Sequence, residues 1–217
     1  MLSKTLIAAD KKSSAGGADV LSRIRDRAKD WINPVAEMLA RSGASPNALT
    51  AIGLVFGAIA AFLFAMGEQL LAGIVLLVAG FFDVIDGAVA RLLQKDTAFG
   101  GVLDSVIDRY VDFLLYAGII YASIAGSIAE PSFILGWGWL WGLLAIAGSF
   151  MVSYIRARAE AAGTGKLDVG IAERAERLII LALGALLGYT LYAVVIIVVI
   201  THMTVVQRMV AAKQRLH

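Results

Sequence analysis

Apolar residues run along this chain in long stretches separated by short polar connections, a pattern that predicts helices crossing a bilayer rather than a folded aqueous core. Six such stretches cover 49–66, 70–93, 102–125, 133–158, 171–187 and 189–210. Each is close to the ~20 residues that span a hydrocarbon layer of ~30 Å. Ser45-Pro46-Asn47 opens the first as a cap-and-turn signal, and only Gly188 and its neighbours separate the last two. Upstream, Val20, Leu21, Ile24, Ala28, Trp31 and Ile32 alternate with Arg23, Arg25, Asp26, Arg27, Lys29 and Asp30. That is an amphipathic helix with a basic face, suited to the membrane interface, which Asn33-Pro34 kinks or interrupts. The expected fold is an all-α integral membrane protein, six transmembrane helices preceded by an amphipathic juxtamembrane helix. The expected organisation is a flexible tail over 1–17, the interfacial helix over 18–44 and the membrane domain over 45–217.

Composition agrees. Of 217 residues, 59% are hydrophobic, above the ~45–50% of soluble domains, so the excess needs a home outside water. The absence of cysteine excludes a disulfide framework, a thiolate metal site and a cysteine nucleophile. The net charge of +2 says little, whereas the placement of the 19 Lys and Arg residues says much. Eight precede the first span, three flank the second connection, five flank the fourth and three close the chain. The other three connections have none. The positive-inside rule then puts both termini and the second and fourth connections in the cytoplasm of a multi-pass cell-membrane protein. Trp137, Trp139 and Trp141 fall at the outer face as an aromatic belt. Basic residues that flank bilayer segments exclude a nucleic-acid partner.

Charge inside the membrane marks where chemistry belongs. The second and third spans carry Asp83, Asp86, Asp104, Asp108 and Asp112 with Arg91 and Arg109. Asp83 and Asp86 are three apart and Asp104 and Asp108 four apart, so each pair occupies one helical face. A short connection makes the two helices antiparallel neighbours, and both pairs sit at the cytoplasmic ends, so the faces can meet. Clustered carboxylates repel, and hard divalent cations relieve that repulsion through oxygen ligands. Salt bridging to Arg91 and Arg109 is the structural alternative, but two arginines do not balance five aspartates.

Together these residues read Asp83-x-x-Asp86-Gly87-x-x-Ala90-Arg91, eight residues, then Gly100-x-x-x-Asp104-x-x-x-Asp108. This resembles the signature of the CDP-alcohol phosphotransferases at every fixed position. The resemblance implies an enzyme that moves a phosphatidyl-type group from a CDP-activated lipid to an alcohol and releases CMP. It also implies a homodimer of six-helix subunits, each with a polar cavity open to the cytoplasm. By similarity, two divalent ions (Mg²⁺ or Mn²⁺) would be held by Asp83, Asp86, Asp104 and Asp108. Asp83 and Asp104 would bridge both, Asp86 would complete one site and Asp108 the other, and Asp108 would also be the catalytic base. For the CDP-lipid, Gly87, Ala90 and Gly100 belong to the signature, the glycines permitting close approach to backbone. Arg91 offers a donor fork to phosphate or cytosine, and Asn47, Thr50 and Thr97 stand where relatives place nucleotide contacts. Asn47 also reads as part of a plain helix cap.

The fourth connection suggests the acceptor. Ser153-Tyr154-Ile155-Arg156-Ala157-Arg158-Ala159-Glu160, followed by Gly170-Ile171-Ala172-Glu173-Arg174-Ala175-Glu176-Arg177-Leu178, is similar to the phosphatidylinositol phosphate synthases and the archaetidylinositol phosphate synthases. The implied acceptor is inositol 1-phosphate, and Arg156, Arg158, Arg174 and Arg177 would serve its dianionic phosphate. Arg156 and Arg158 are two apart and cannot share a helical face, whereas Arg174 and Arg177 can. The competing reading of each arginine is a topology-setting charge. Two other functions stay open: the same chemistry with glycerol 3-phosphate or another polar alcohol, and a small cation transporter. Asp112 lies outside the signature and its role is open, as are the lipid's diacyl or archaeol tails, the choice of metal and the dimer face. His202 and the small-residue pairs Gly53–Gly57 and Gly184–Gly188 read as packing features.

Overall fold

The structure is a computed structural model that describes residues 32–94 and 97–216. The expected tail over 1–17 and the amphipathic stretch of 18–31 lie outside these residues. Among the described residues there are seven α-helices and no strand: α1 (32–41), α2 (Pro46–Ala65), α3 (Gln69–Leu92), α4 (Ala98–Ala125), α5 (Gly138–Ala161), α6 (Arg174–Leu186) and α7 (Thr190–Leu216). They group into two compact units, one of residues 32–46 and 84–94, the other of 47–83 and 97–216, with the boundary inside α3.

Four helices, α2, α3, α5 and α7, are long and apolar enough to cross a membrane by length and composition. The six uniform spans read from hydropathy are corrected in their details. α4 has the length, at 28 residues, but carries Asp104, Asp108, Arg109 and Asp112. α6 has 13 residues, or ~20 Å at 1.5 Å per residue, which falls short of a hydrocarbon core. The expected stretch 133–158 is divided: Ser132–Ile134 is a 3₁₀ turn and the helix starts only at Gly138. Glu130 sets that break, because its carboxylate accepts from the Gly136 amide and the Ser123 hydroxyl, both at 2.5 Å. In the smaller unit, Pro34 lies within the helical run 32–41.

Capping explains several boundaries. Pro46 takes the first turn of α2, where its missing N–H costs nothing. Thr97 caps α4, its Oγ1 accepting from the Gly100 amide at 2.9 Å. Gly126 ends α4 in the left-handed region at φ 70°. The turn at Gly188, also left-handed at φ 75°, is closed by the Tyr189 amide donating to the Gly184 carbonyl at 2.6 Å. It is tied to α3 by the Thr190 hydroxyl donating to Gln69 Oε1 at 2.7 Å.

The core of the larger unit is built from six helices, with Phe64, Leu76, Leu115, Ile119, Leu181 and Ile197 fully buried. Small residues bring the helices together. α2 meets α4 where Gly57 faces Val111 and where Gly118 lies against the Ala61 carbonyl, and no Cβ fits at Gly118 without displacing that backbone. α5 lies against α4 and α7, and α6 against α7. The α2–α4 approach holds α4, and with it the aspartates, in place. Gly118→Val is therefore expected to lower the melting temperature of the detergent-solubilised protein by several degrees, since overpacking costs ~1–3 kcal/mol. Gly80→Ala, where a Cβ meets nothing within 4 Å, should leave it unchanged. Equal melting of Gly118→Val and the parent would overturn the close α2–α4 contact.

Candidate active site and metal centre

α3 and α4 bring acidic side chains to one point. Asp83 from α3 and Asp104 and Asp108 from α4 each offer a carboxylate oxygen, and these oxygens all lie within 4.8 Å of one another. Asp104 and Asp108 share a face because they are one helical turn apart. A divalent cation with oxygen ligands at ~2.0–2.6 Å fits among oxygens so spaced. One further observation supports that fit: Asp104 Oδ1 is buried without a hydrogen-bond partner. A buried acceptor left unmet costs ~1–3 kcal/mol, which an ion would remove.

A protein cation stands in the same cluster. Arg174, at the first turn of α6, places Nη1 2.6 Å from Asp83 Oδ1 and 2.9 Å from Asp108 Oδ1. Its Nε lies 3.6 Å from Asp112 Oδ1. Asp112 is almost wholly buried, with Arg177 Nη2 at 2.9 Å and Arg109 Nε at 3.8 Å. Arg177 also donates to the Ala172 carbonyl at 2.8 Å, and Arg109 donates to the Ser153 hydroxyl. The cluster is therefore a mixed network, more than the carboxylate pairs alone.

Beside it opens a cavity of about 880 Å³, lined by Asp108 together with Arg109, Arg156, Arg174, Arg177 and Arg208. Arg208, from α7, is buried and donates to the carbonyls of Val152 at 2.6 Å and Val169 at 2.8 Å. It thereby ties α5 and the α5–α6 connection to α7. Arg156 is held at the rim by Glu160 and Asp168, each at 3.1 Å. Lys166, hydrogen-bonded to Asp168 at 2.9 Å, holds that exposed carboxyl below the usual carboxylate range.

The anticipated site residues fall into distinct groups. Asp83, Asp104 and Asp108 come together, and Arg156, Arg174 and Arg177 line one cavity. Arg158 is exposed and is not among the cavity's lining residues, as its spacing from Arg156 requires. Asp86, Gly87, Ala90 and Arg91 belong to the smaller unit. There Asp86 is buried, and the Arg91 guanidinium lies over Gly87, where an added Cβ would meet its Nη1 at 3.4 Å. Asn47 is exposed and Thr50 half-buried on α2, and the Thr97 hydroxyl is engaged in capping Gly100. Sequence reasoning missed Ser153 and Arg208 as members of the site. Arg208 was visible as one of the closing cations, but no spacing pointed it inward.

A family profile described as CDP-alcohol phosphatidyltransferase matches residues 44–213. The chain belongs to that family. This phosphatidyltransferase is 40% identical to an archaetidylinositol phosphate synthase of Pyrococcus horikoshii, over 91% of this chain and 98% of the relative. It is 34% identical to a phosphatidylinositol phosphate synthase of Mycobacteroides abscessus, over 83% of each chain. Crystal structures of the Mycobacterium tuberculosis phosphatidylinositol phosphate synthase are similar at 31% identity. One, with CDP-DAG bound, has a TM-score of 0.71 and overlaps 83% of this chain and 92% of that one. Another, in complex with manganese and citrate, has a TM-score of 0.72, covering 84% and 88%. The protein is thus a multi-pass membrane transferase of phospholipid biosynthesis, metal-dependent and acting with CDP-alcohol chemistry. The cation-transporter alternative falls with that membership.

The metal centre yields a direct test. Excess chelator should abolish turnover, and added Mg²⁺ or Mn²⁺ should restore it. Asp104→Asn removes a ligand and a like charge but no hydrogen bond at Oδ1. Its metal-free form should therefore melt no lower than the parent, while Mn²⁺ binding, read by the loss of the free-ion electron paramagnetic resonance signal, and nearly all activity disappear. Retained Mn²⁺ binding in this variant would remove Asp104 from the centre.

Proposed function

We propose that this enzyme transfers the phosphatidyl-type group of a CDP-activated lipid, CDP-diacylglycerol or CDP-archaeol, to inositol 1-phosphate, with release of CMP. The observation that carries the reading is the cavity: its lining holds Asp108, a carboxylate of the metal cluster, and five guanidiniums, which outnumber the three carboxylates Asp108, Glu160 and Glu173. A neutral alcohol such as inositol or choline has no use for that many cations, whereas a dianionic phosphate does. The names of the relatives, archaetidylinositol phosphate and phosphatidylinositol phosphate synthases, support the same acceptor.

In this reading the donor's pyrophosphate sits at the aspartates and the acceptor's phosphate among the arginines. Asp83, Asp86, Asp104 and Asp108 hold two divalent ions, with Asp86 joining by its place in the signature, three residues beyond Asp83. Bound ions neutralise pyrophosphate charge and stabilise the charge that develops during displacement. Asp108, the one member of the cluster that also faces the cavity, accepts the proton of the attacking hydroxyl. Arg174 and Arg156 orient the acceptor phosphate, with Arg177 behind them and Arg158 at the surface. Gly87, Ala90 and Arg91, together with Asn47, Thr50, Thr97 and Gly100, serve the CDP moiety.

The same reading holds that α4 also crosses the bilayer and that α6, too short by itself, does so together with the residues that flank it, so that the spans number six. An even number leaves both termini on the cytoplasmic side, where the cation-bearing connections and the active site also lie. The working form is a homodimer in the cell membrane.

Purified enzyme, a CDP-lipid and a panel of acceptors should release CMP with inositol 1-phosphate and much less with unphosphorylated inositol. Comparable turnover with glycerol 3-phosphate would reassign the alcohol and keep the phosphate. Charge-assisted hydrogen bonds contribute ~1.5–3 kcal/mol, so Arg156→Ala and Arg174→Ala should each raise the acceptor KM about tenfold or more. For Arg156→Ala the donor KM should hold. Indifference of the parent enzyme to the acceptor's phosphate would sink the assignment. Independently, Asp108→Asn should lose ~10²–10⁴-fold in kcat, the typical loss on removing a general base. A donor affinity as badly damaged as that of Asp83→Asn would make Asp108 a ligand only.

A further inference from the structure

Asp112 lies one turn beyond Asp108 on α4 and outside the signature, yet three guanidiniums converge on it. Arg177 approaches at 2.9 Å, Arg174 at 3.6 Å and Arg109 at 3.8 Å. The carboxylate is only 3% exposed and is not among the groups lining the cavity, whereas all three arginines are. Asp112 therefore stands behind them, on the side away from the space a ligand would enter.

From this geometry we infer that Asp112 is the positioning residue for the acceptor's phosphate: it holds Arg109, Arg174 and Arg177 together as one anion-binding wall. The inference rests on the proposed acceptor reading and deepens it. Three guanidiniums gathered in a poorly solvated site repel one another, and in low dielectric that repulsion is strong. A single buried anion offsets part of it and leaves net positive charge facing the cavity. The arginines also depend on Asp112 for direction. Arg177 spends one nitrogen on the Ala172 carbonyl and Arg109 one on the Ser153 hydroxyl, and the Nε atoms of all three have no hydrogen-bond partner. Ionic contact with Asp112 thus orients groups that the neutral bonds hold only in part. Arg174 makes the arrangement consequential, because the same side chain reaches Asp83 and Asp108. Its tether to Asp112 sets how far the guanidinium leans toward the metal ligands and how far toward the cavity.

A purely structural ion pair would predict loss of stability with kcat and both KM values affected alike. A positioning role predicts a split. In the full-length, detergent-solubilised enzyme with Mg²⁺, Asp112→Asn should raise the KM for inositol 1-phosphate at least tenfold. The KM for CDP-lipid should stay within about twofold and kcat at saturating acceptor within about threefold. Asp112→Glu, which restores the charge, should recover most of the acceptor affinity. Inorganic phosphate, as an inhibitor competing with the acceptor, should weaken in parallel with the KM change. Removal of one member of a buried ionic group can prevent folding, whereas neutralising a pair is tolerated better. Should Asp112→Asn fail to fold, the charge-balanced D112N/R177M is compared with R177M. A further rise of threefold or more in acceptor KM is expected, since Arg109 and Arg174 lose their anchor as well. An unchanged acceptor KM in D112N, or equal values in D112N/R177M and R177M, overturns the role of Asp112. The parent enzyme separates this failure from that of the acceptor reading. If it prefers glycerol 3-phosphate, the titrations are run with that acceptor and the inference stands or falls on them. If it shows no preference for a phosphorylated acceptor, both are overturned.

Discussion

Everything in the larger unit answers to one electrostatic demand: Asp83, Asp104 and Asp108 must be kept close together in a helical assembly. Their oxygens lie within 4.8 Å of one another, a spacing that is repulsive unless a cation is present. The chain supplies one in Arg174, whose Nη1 reaches both Asp83 and Asp108. The divalent metal on which the family's activity depends would supply a stronger one. The site thus offers one place to two kinds of cation, a fixed guanidinium and an exchangeable ion, and the arginine-lined cavity opens directly beside it.

Helix packing serves this demand. Gly57 and Gly118 allow α2 and α4 to meet closely, at Val111 and at the Ala61 carbonyl, so the middle and C-terminal part of α4 are held. Its C-terminal half is core, with Leu115 and Ile119 fully buried, and its N-terminal half carries the acids. The first turn of α6 is committed to the site. Arg174 and Arg177 both point inward there, and Leu181 and Ala185 continue the same face into the core. Arg208 completes the frame by fastening carbonyls of α5 and the α5–α6 connection to α7. A cavity lined by five arginines stays open because each is engaged by a carboxylate, a hydroxyl or a carbonyl behind it.

Much of this was legible before any coordinates. The i, i+3 and i, i+4 spacings of the aspartates, the eight matched positions of the signature and the confinement of cations to alternate connections are all local patterns. The divergence of Arg158 from Arg156 followed from helical angle alone. Span boundaries were less legible, because hydropathy averages over a window. The break before Gly138 is held by two hydrogen bonds to Glu130, and neither it nor the 13-residue length of α6 shows in a window average. Thr97 shows the same limit: its place in the chain suggested a ligand contact, and only the structure adds that its hydroxyl oxygen also caps α4.

The sequence by itself determined the class of protein, the acidic face of each helix and the chemistry they perform, because those depend on which residues recur at helical spacing within a short segment. Only the tertiary structure decided which charges neutralise which. That Arg174 spans Asp83 and Asp108 across 91 residues of chain, that Ser153 receives Arg109, and that Asp112 gathers three guanidiniums are outcomes of how α4, α5 and α6 meet. Coulomb energy depends on distance in space, and no spacing along the chain encodes the separation between side chains on helices that touch only after folding.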